Sequence, residues 1–291
     1  MSNMIEGGLL ILICSMTSVA EGMFVRKYNR RNQSGGMIFT ALISLFSLLF
    51  FVITNTDGWY FPKGIFLYGI LAGLLYCSAS FLTFVALGCG SFTMSMLIIS
   101  YSLLFPISYG VFVLKEELSV WMILGLAALM LSLFLMRQPQ KDGEQKKTTL
   151  KWLLCIGAAF VGNGMFAVIT RIQQIRYDNA CSKEYMIIAL SLSAVLLFLI
   201  GLFSGGGQLL EVLRTGTLWA ALAGTANGVT NALGIMITML IPISLSSPLR
   251  AGTKIMISFL VSVLLYREKM LKRQILGVIV GAAALVLLNI R

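Results

Sequence analysis

The chain has 291 residues, 58% of them hydrophobic and 11% charged, with 22 lysines and arginines, 11 acids and no histidine. Water-soluble domains carry about a quarter charged residues, so the composition excludes an ordinary soluble enzyme and predicts a polytopic helical membrane protein. The missing histidine removes the commonest general base and metal ligand, and no G-x-x-x-x-G-K-[ST] loop is present for ATP; no cofactor, metal or enzymatic activity is expected.

Ten membrane spans are predicted, near the ~20 apolar residues that a helix needs to cross the hydrocarbon core. The first covers 8–25. Its start, MSNMIEGGLLILI, lacks the basic flank of a cleavable signal peptide, and the charges follow the apolar run as RKYNRR (26–31), so a retained helix is expected. Within it SVAEGMF (18–24) holds Glu21, and Cys14, Thr17 and Ser18 share its face by helical spacing. Spans two to five follow at 37–54, 64–87, 92–114 and 119–136, the third aligning Gly73, Tyr76, Ser80 and Thr83. The longest polar connection, RQPQKDGEQKKTTLK (137–151), marks a seam between 1–145 and 146–291.

Beyond the seam, the span at 150–170 carries FVGNGMF (160–166) with Asn163, and the seventh lies at 186–204. The eighth, 217–240, aligns Gly224, Asn227, Asn231 and Gly234 on one face. The ninth, 243–266, aligns Ser247, Arg250, Lys254, Ser258 and Ser262, and the tenth covers 273–290. Gly224/Gly228 and Gly277/Gly281 each make a G-x-x-x-G, a packing or dimer surface. The five cysteines form no C-x-x-C and read as small apolar fillers.

The halves repeat at an offset of 142 to 152 residues: VAEGMF (19–24) over VGNGMF (161–166), LAG (71–73) over LAG (222–224), and Glu116 and Gly125 over Glu268 and Gly277. Five spans is an odd number, so the second half enters the membrane upside down. The expected fold is all-α integral membrane, ten transmembrane helices as two inverted five-helix repeats, an architecture that places a site at the midplane between halves.

On these residues the chain resembles the drug/metabolite transporter superfamily, and within it the EamA-type ten-helix transporters. The resemblance rests on two five-helix units, tight turns between third and fourth spans (LGCGSFT, LIPIS), prolines in the fourth spans (Pro106, Pro248), and an acidic turn before a glycine-bearing last span. The family usually has Gly-Glu at that turn, where this chain has Lys115-Glu116 and Arg267-Glu268. The resemblance implies a substrate cavity surrounded by spans one, three and four of each half. Glu21 is similar, in position and in its A-E context, to the carboxylate with which the small multidrug resistance relatives exchange protons against cations. Asn163 would be its neutral counterpart. Eighteen residues before Glu268, where those relatives place an aromatic residue, stands Arg250; it repels a cation and suits a carboxylate or phosphate.

Glu21, Arg250 and Lys254 lie well inside predicted spans. Each would cost roughly 2.5–3.5 kcal/mol at a helix centre facing lipid, so they are expected to face protein or a wet cavity. A carboxylate withdrawn from water can take and release protons near neutrality. Fourteen basic residues follow odd-numbered spans against six after even-numbered ones. By the positive-inside rule both termini lie outside the cytoplasm, whereas the family more often keeps both inside.

The expected function is secondary transport of a small organic anion or zwitterion, such as an amino acid or metabolite, across the cell membrane. Arg250 and Lys254 would neutralise its acidic group and Glu21 would carry the proton, with Tyr76, Ser80, Asn163, Asn227 and Asn231 lining the pocket. Two alternatives stay open: a proton-coupled exporter of cationic drugs, and a flippase for lipid-linked headgroups. The expected partners are a small-molecule substrate and lipids, with no nucleic acid, in a monomer or homodimer.

Overall fold

A computed structural model describes residues 2–29, 36–56, 58–89, 95, 98–117, 119–136, 149–205, 209–265 and 271–288. The seam residues 137–148, the acidic turn with Arg267 and Glu268, and most of LGCGSFT lie outside the described residues. The helices are α1 (Ser2–Asn29), α2 (Gly36–Thr54), α3 (Ile65–Cys89), α4 (Ile98–Val113), α5 (Val120–Leu135), α6 (Leu150–Arg176), α7 (Ser182–Gly205), α8 (Leu209–Leu240), α9 (Ile243–Leu264) and α10 (Lys272–Leu288). Seven of them, α1–α3 and α6–α9, are long and apolar enough to cross a membrane, while α4 and α5 are shorter apolar helices. The chain is an all-α membrane protein. Its surface agrees, since Phe203 is 89% and Phe112 80% exposed while Ser44, Ser47, Ser132 and Ser193 are fully buried. That inside-out distribution suits lipid as the surrounding solvent.

Helices α1 and α8 begin earlier than expected, at Ser2 and Leu209, and two further elements differ in ways that bear on the site. The predicted 92–114 span is no continuous α-helix: over 98–113, Tyr101–Leu103 is 3₁₀, Leu104–Ser108 is α and Tyr109–Val113 is π. Pro106, in its middle, has no N–H to donate and crowds the preceding turn. The π segment closes with the Leu114 N–H donating to Tyr109 O at 3.1 Å. Second, α6 continues past residue 170 to Arg176, which puts Arg171 on a helix and not in a loop.

The connection after α4 also explains how α9 begins. A helix leaves its first four N–H groups without internal partners. In α9, Leu245 and Ser246 donate to Pro242 O at 3.1 and 2.8 Å. Ile243 and Ser244 donate to Glu116 Oε1 and Oε2 at 3.1 and 2.9 Å, so one carboxylate from the α4–α5 connection completes the set. Negative charge is also favourable at the positive end of the helix dipole. Gly110 permits the approach: a Cβ there would sit 2.5 Å from Glu116 Oε2 and 3.0 Å from Ile243. Lys115, beside it, has φ 55, the left-handed conformation that glycine adopts without strain.

Helix α1 packs against α8 and α9, α3 against α6 and α7, α2 against α7 and α8, and α5 against α10. The G-x-x-x-G faces are spent inside the chain. Gly224 and Gly228 admit Phe46 and Phe50 of α2, and Gly277 and Gly281 admit Met136 and Ser132. The bundle has two recognisable ends. At one, Gly7 meets Ile241, Glu116 caps α9, the Tyr177 hydroxyl donates to Lys63 O and Lys183 Nζ donates to Thr54 O. At the other, Lys27 sits over the Trp219 ring and Arg273 donates to Phe134 O.

Candidate functional site

Glu21, in the last third of α1, is held by an amide network. Its Oε1 accepts from Asn227 Nδ2 at 3.0 Å, and Asn227 Oδ1 accepts from Asn231 Nδ2 at 2.9 Å and from Ser47 Oγ at 3.1 Å. With two donors on its oxygen, the Asn227 amide can only turn its nitrogen toward the carboxylate. One turn before Glu21 the α1–α8 contact is also polar: Thr17 and Thr230 share a 2.9 Å hydrogen bond, and Cys14 Sγ donates to Thr230 O. Tyr76 of α3 stands within electrostatic reach of Glu21 and packs its ring 5.7 Å from Phe166. Lys254 is close enough for its charge to act on Glu21.

Helix α9 supplies the positive charge. Of its predicted stripe, Ser247, Arg250, Lys254 and Ser258, though not Ser262, line one cavity of about 610 Å³, with Cys14, Ser15 and Ser18 of α1, Ser100, Ser102, Leu103 and Pro106 of α4, and Asn163 of α6. The lining extends from Arg250 to Ser258 on α9 and to Met136 beyond α5, so the cavity runs from mid-bundle toward the Lys27 end. Arg250 is part-buried, while Lys254 and Ser258 are exposed. The Arg250 guanidinium lies on Gly234 of α8: a Cβ at 234 would stand 2.8 Å from its Nη1. Ser15 Oγ donates to Arg250 O at 3.4 Å, tying α1 to the same turn.

A second cavity, of about 230 Å³, shares Asn163, Ala167, Ser247 and Arg250 with the first and runs the other way, past Asn231 and Thr238 to Arg171 and Gln174. Arg250 therefore stands where an accessible vestibule adjoins a smaller chamber toward the Glu116 end.

The predicted site residues fall into two groups. Arg250, Lys254 and Asn163 line the larger cavity, and Asn231 lines the smaller one beside Arg250 and Asn163. Glu21, Asn227 and Tyr76 belong to the network behind these walls and line neither cavity, and Ser80, one turn on from Tyr76, lines neither as well. One Asn163 amide hydrogen goes to Ala159 O on its own helix at 3.0 Å. Sequence reasoning missed Ser47, Arg171 and Glu184. Glu184, 4% exposed at the start of α7, accepts from Asn55 Nδ2 and the Tyr60 N–H at 3.3 Å each, fastening the α2–α3 connection. An acid two residues inside a loop boundary gives no periodic signal. Arg171 could have been found by extending the helix past its apolar stretch.

No family model and no curated protein matches the chain. Among the solved structures that do match is a crystal structure described only as that of a protein. It aligns with a TM-score of 0.76 at 15% identity, over 98% of this chain and 96% of that one. The chain thus shares a solved fold along nearly its whole length.

Proposed function

We propose that the chain is a ten-helix secondary transporter of a small organic anion or zwitterion, built from two inverted five-helix repeats, 1–145 and 146–291. Helix pairing supports the repeat. Exchanging α1–α5 with α6–α10 turns α1 on α8 into α6 on α3, and α2 on α8 into α7 on α3. It also turns α1 on α9 into α6 on α4, while α2 on α7, α4 on α9 and α5 on α10 map onto themselves. Repeats of this kind rock about a midplane site to give alternating access. The broken α4 and the proline-bearing α9 flank the larger cavity and are the elements able to bend.

The observation that carries the substrate class is Arg250. It stands between the two cavities with its guanidinium seated on Gly234, while the carboxylate that could have neutralised it is taken up by Asn227. A guanidinium so placed recognises a carboxylate or phosphate through paired hydrogen bonds. Glu21 serves as the proton carrier, sensing the occupied site through Lys254 and the amides of α8. The larger cavity lies toward the end with Lys27 and Arg273; the positive-inside rule makes that end cytoplasmic and leaves both termini outside.

Thermal unfolding of the purified protein against a panel of metabolites tests this reading. A ligand present at about 100 times its Kd stabilises by ~2.7 kcal/mol, so organic anions or zwitterions should raise the midpoint of wild type and not of Arg250→Gln. Organic cations that stabilise both proteins alike would sink it.

A further inference from the structure

The smaller cavity holds a second cation that the transport reading leaves unused. Arg171, near the end of α6, donates from Nη1 to Thr238 O at 2.7 Å, a carbonyl in the last turn of α8. A helix-capping arginine would account for that bond. It does not account for Nε, which is buried without a hydrogen-bond partner. Nor do the neighbours neutralise the charge. Gln174 Nε2 donates to Ile235 O at 3.1 Å and its Oε1 accepts from Thr238 Oγ1 at 2.9 Å, so these groups satisfy each other. Among the described residues no carboxylate lines the chamber, yet two guanidinium groups do. Two like charges drawn partly out of water into one small cavity repel each other, and an anion between them relieves that repulsion.

We infer that the chamber is a second anion subsite and that the substrate carries two acidic groups on a short chain. One group is held by Arg250 and the other by Arg171, an assignment that rests on the transport reading above. The volume of about 230 Å³ is below the range of drug-sized sites and fits a small metabolite. Asn163 and Asn231 border the same space and can meet the middle of such a chain. The substrate class narrows from organic anions to small dicarboxylates.

Thermal stabilisation of the purified full chain by succinate, compared with butyrate, separates the two levels of the claim. One added charge-assisted contact is expected to lower the half-saturating concentration by about tenfold or more. Wild type should therefore prefer succinate by that factor. Arg171→Gln should abolish the preference, and Arg171→Lys, which keeps a charge without the planar fork, should retain part of it. Equal affinities in wild type would overturn the inference even if Arg171→Gln cannot be purified. So would a preference that survives Arg171→Gln, or one that disappears in Lys254→Gln instead, because both groups would then sit in the larger cavity. If both acids bind equally and Arg250→Gln weakens both, the anion reading stands and the dicarboxylate inference falls. If neither acid binds wild type, the dicarboxylate inference falls, and the broader reading is decided by the metabolite panel.

Discussion

Replacing Glu116 by glutamine tests whether the start of α9 depends on a carboxylate 127 positions away in sequence. In the wild type both oxygens accept, from the N–H groups of Ile243 and Ser244, residues only 3% and 1% exposed. Glutamine keeps the length but turns one acceptor into a donor facing a donor. The loss is one charge-assisted hydrogen bond, ~1.5–3 kcal/mol, plus the attraction of a negative charge to the helix N-terminus, ~0.3–1 kcal/mol. A net destabilisation of about 2–3 kcal/mol is expected, and Glu116→Ala should cost more, because two buried donors are then orphaned. Chemical denaturation of the detergent-purified protein, followed by helical circular dichroism, reads this directly. The neighbouring exposed Glu117, changed to glutamine, is the control and should fall within about 0.5 kcal/mol of wild type. If Glu116→Gln behaves like the control, the carboxylate is not what completes α9 and the reasoning fails.

The same connection yields a stabilising change. Lys115 occupies the left-handed region at φ 55, a conformation that costs a non-glycine residue roughly 1–2 kcal/mol, so Lys115→Gly should raise stability by about 0.5–1 kcal/mol after the added flexibility of the unfolded chain is subtracted; a lower denaturation midpoint would contradict it. Gly234→Ala places a methyl group 2.8 Å from Arg250 Nη1 and must displace the guanidinium, so substrate affinity should drop at least about tenfold, the equivalent of one misplaced charge-assisted bond, while the helical content stays unchanged. Binding by Gly234→Ala equal to wild type would show that the guanidinium seat is immaterial.

Much of the helical plan was legible because lipid imposes one rule on every exterior face, and apolar stretches report that rule directly. The α8–α9 connection, Ile241–Pro242, falls where the apolar pattern placed it. The face of α9 from Ser247 to Ser258 was legible for a related reason: polar residues at helical spacing cannot all face hydrocarbon. What the sequence hid depends on distant chain segments. Ser47 is one hydroxyl in an apolar helix, and only the packing of α2 on α8 makes it a support for Asn227. The reading of Asn227 as pocket lining followed from spacing alone, whereas its hydrogen bonds make it the holder of Glu21. Arg171 was hidden because hydropathy ends before the helix does; backbone hydrogen bonding continues through polar residues that no longer need lipid. The division of α4 into three helical types has a local cause in Pro106, but where each type begins and ends is set by its fit between α6 and α9.

Substrate accumulation in proteoliposomes under an imposed proton gradient tests the central claim most directly, with an anion identified by thermal stabilisation as the cargo. Wild type should concentrate the anion. Glu21→Gln should lose gradient-driven accumulation while still exchanging substrate across the membrane, and Arg250→Gln should lose both. Full accumulation by Arg250→Gln would contradict the account, because a guanidinium dispensable for moving the anion cannot be what recognises it.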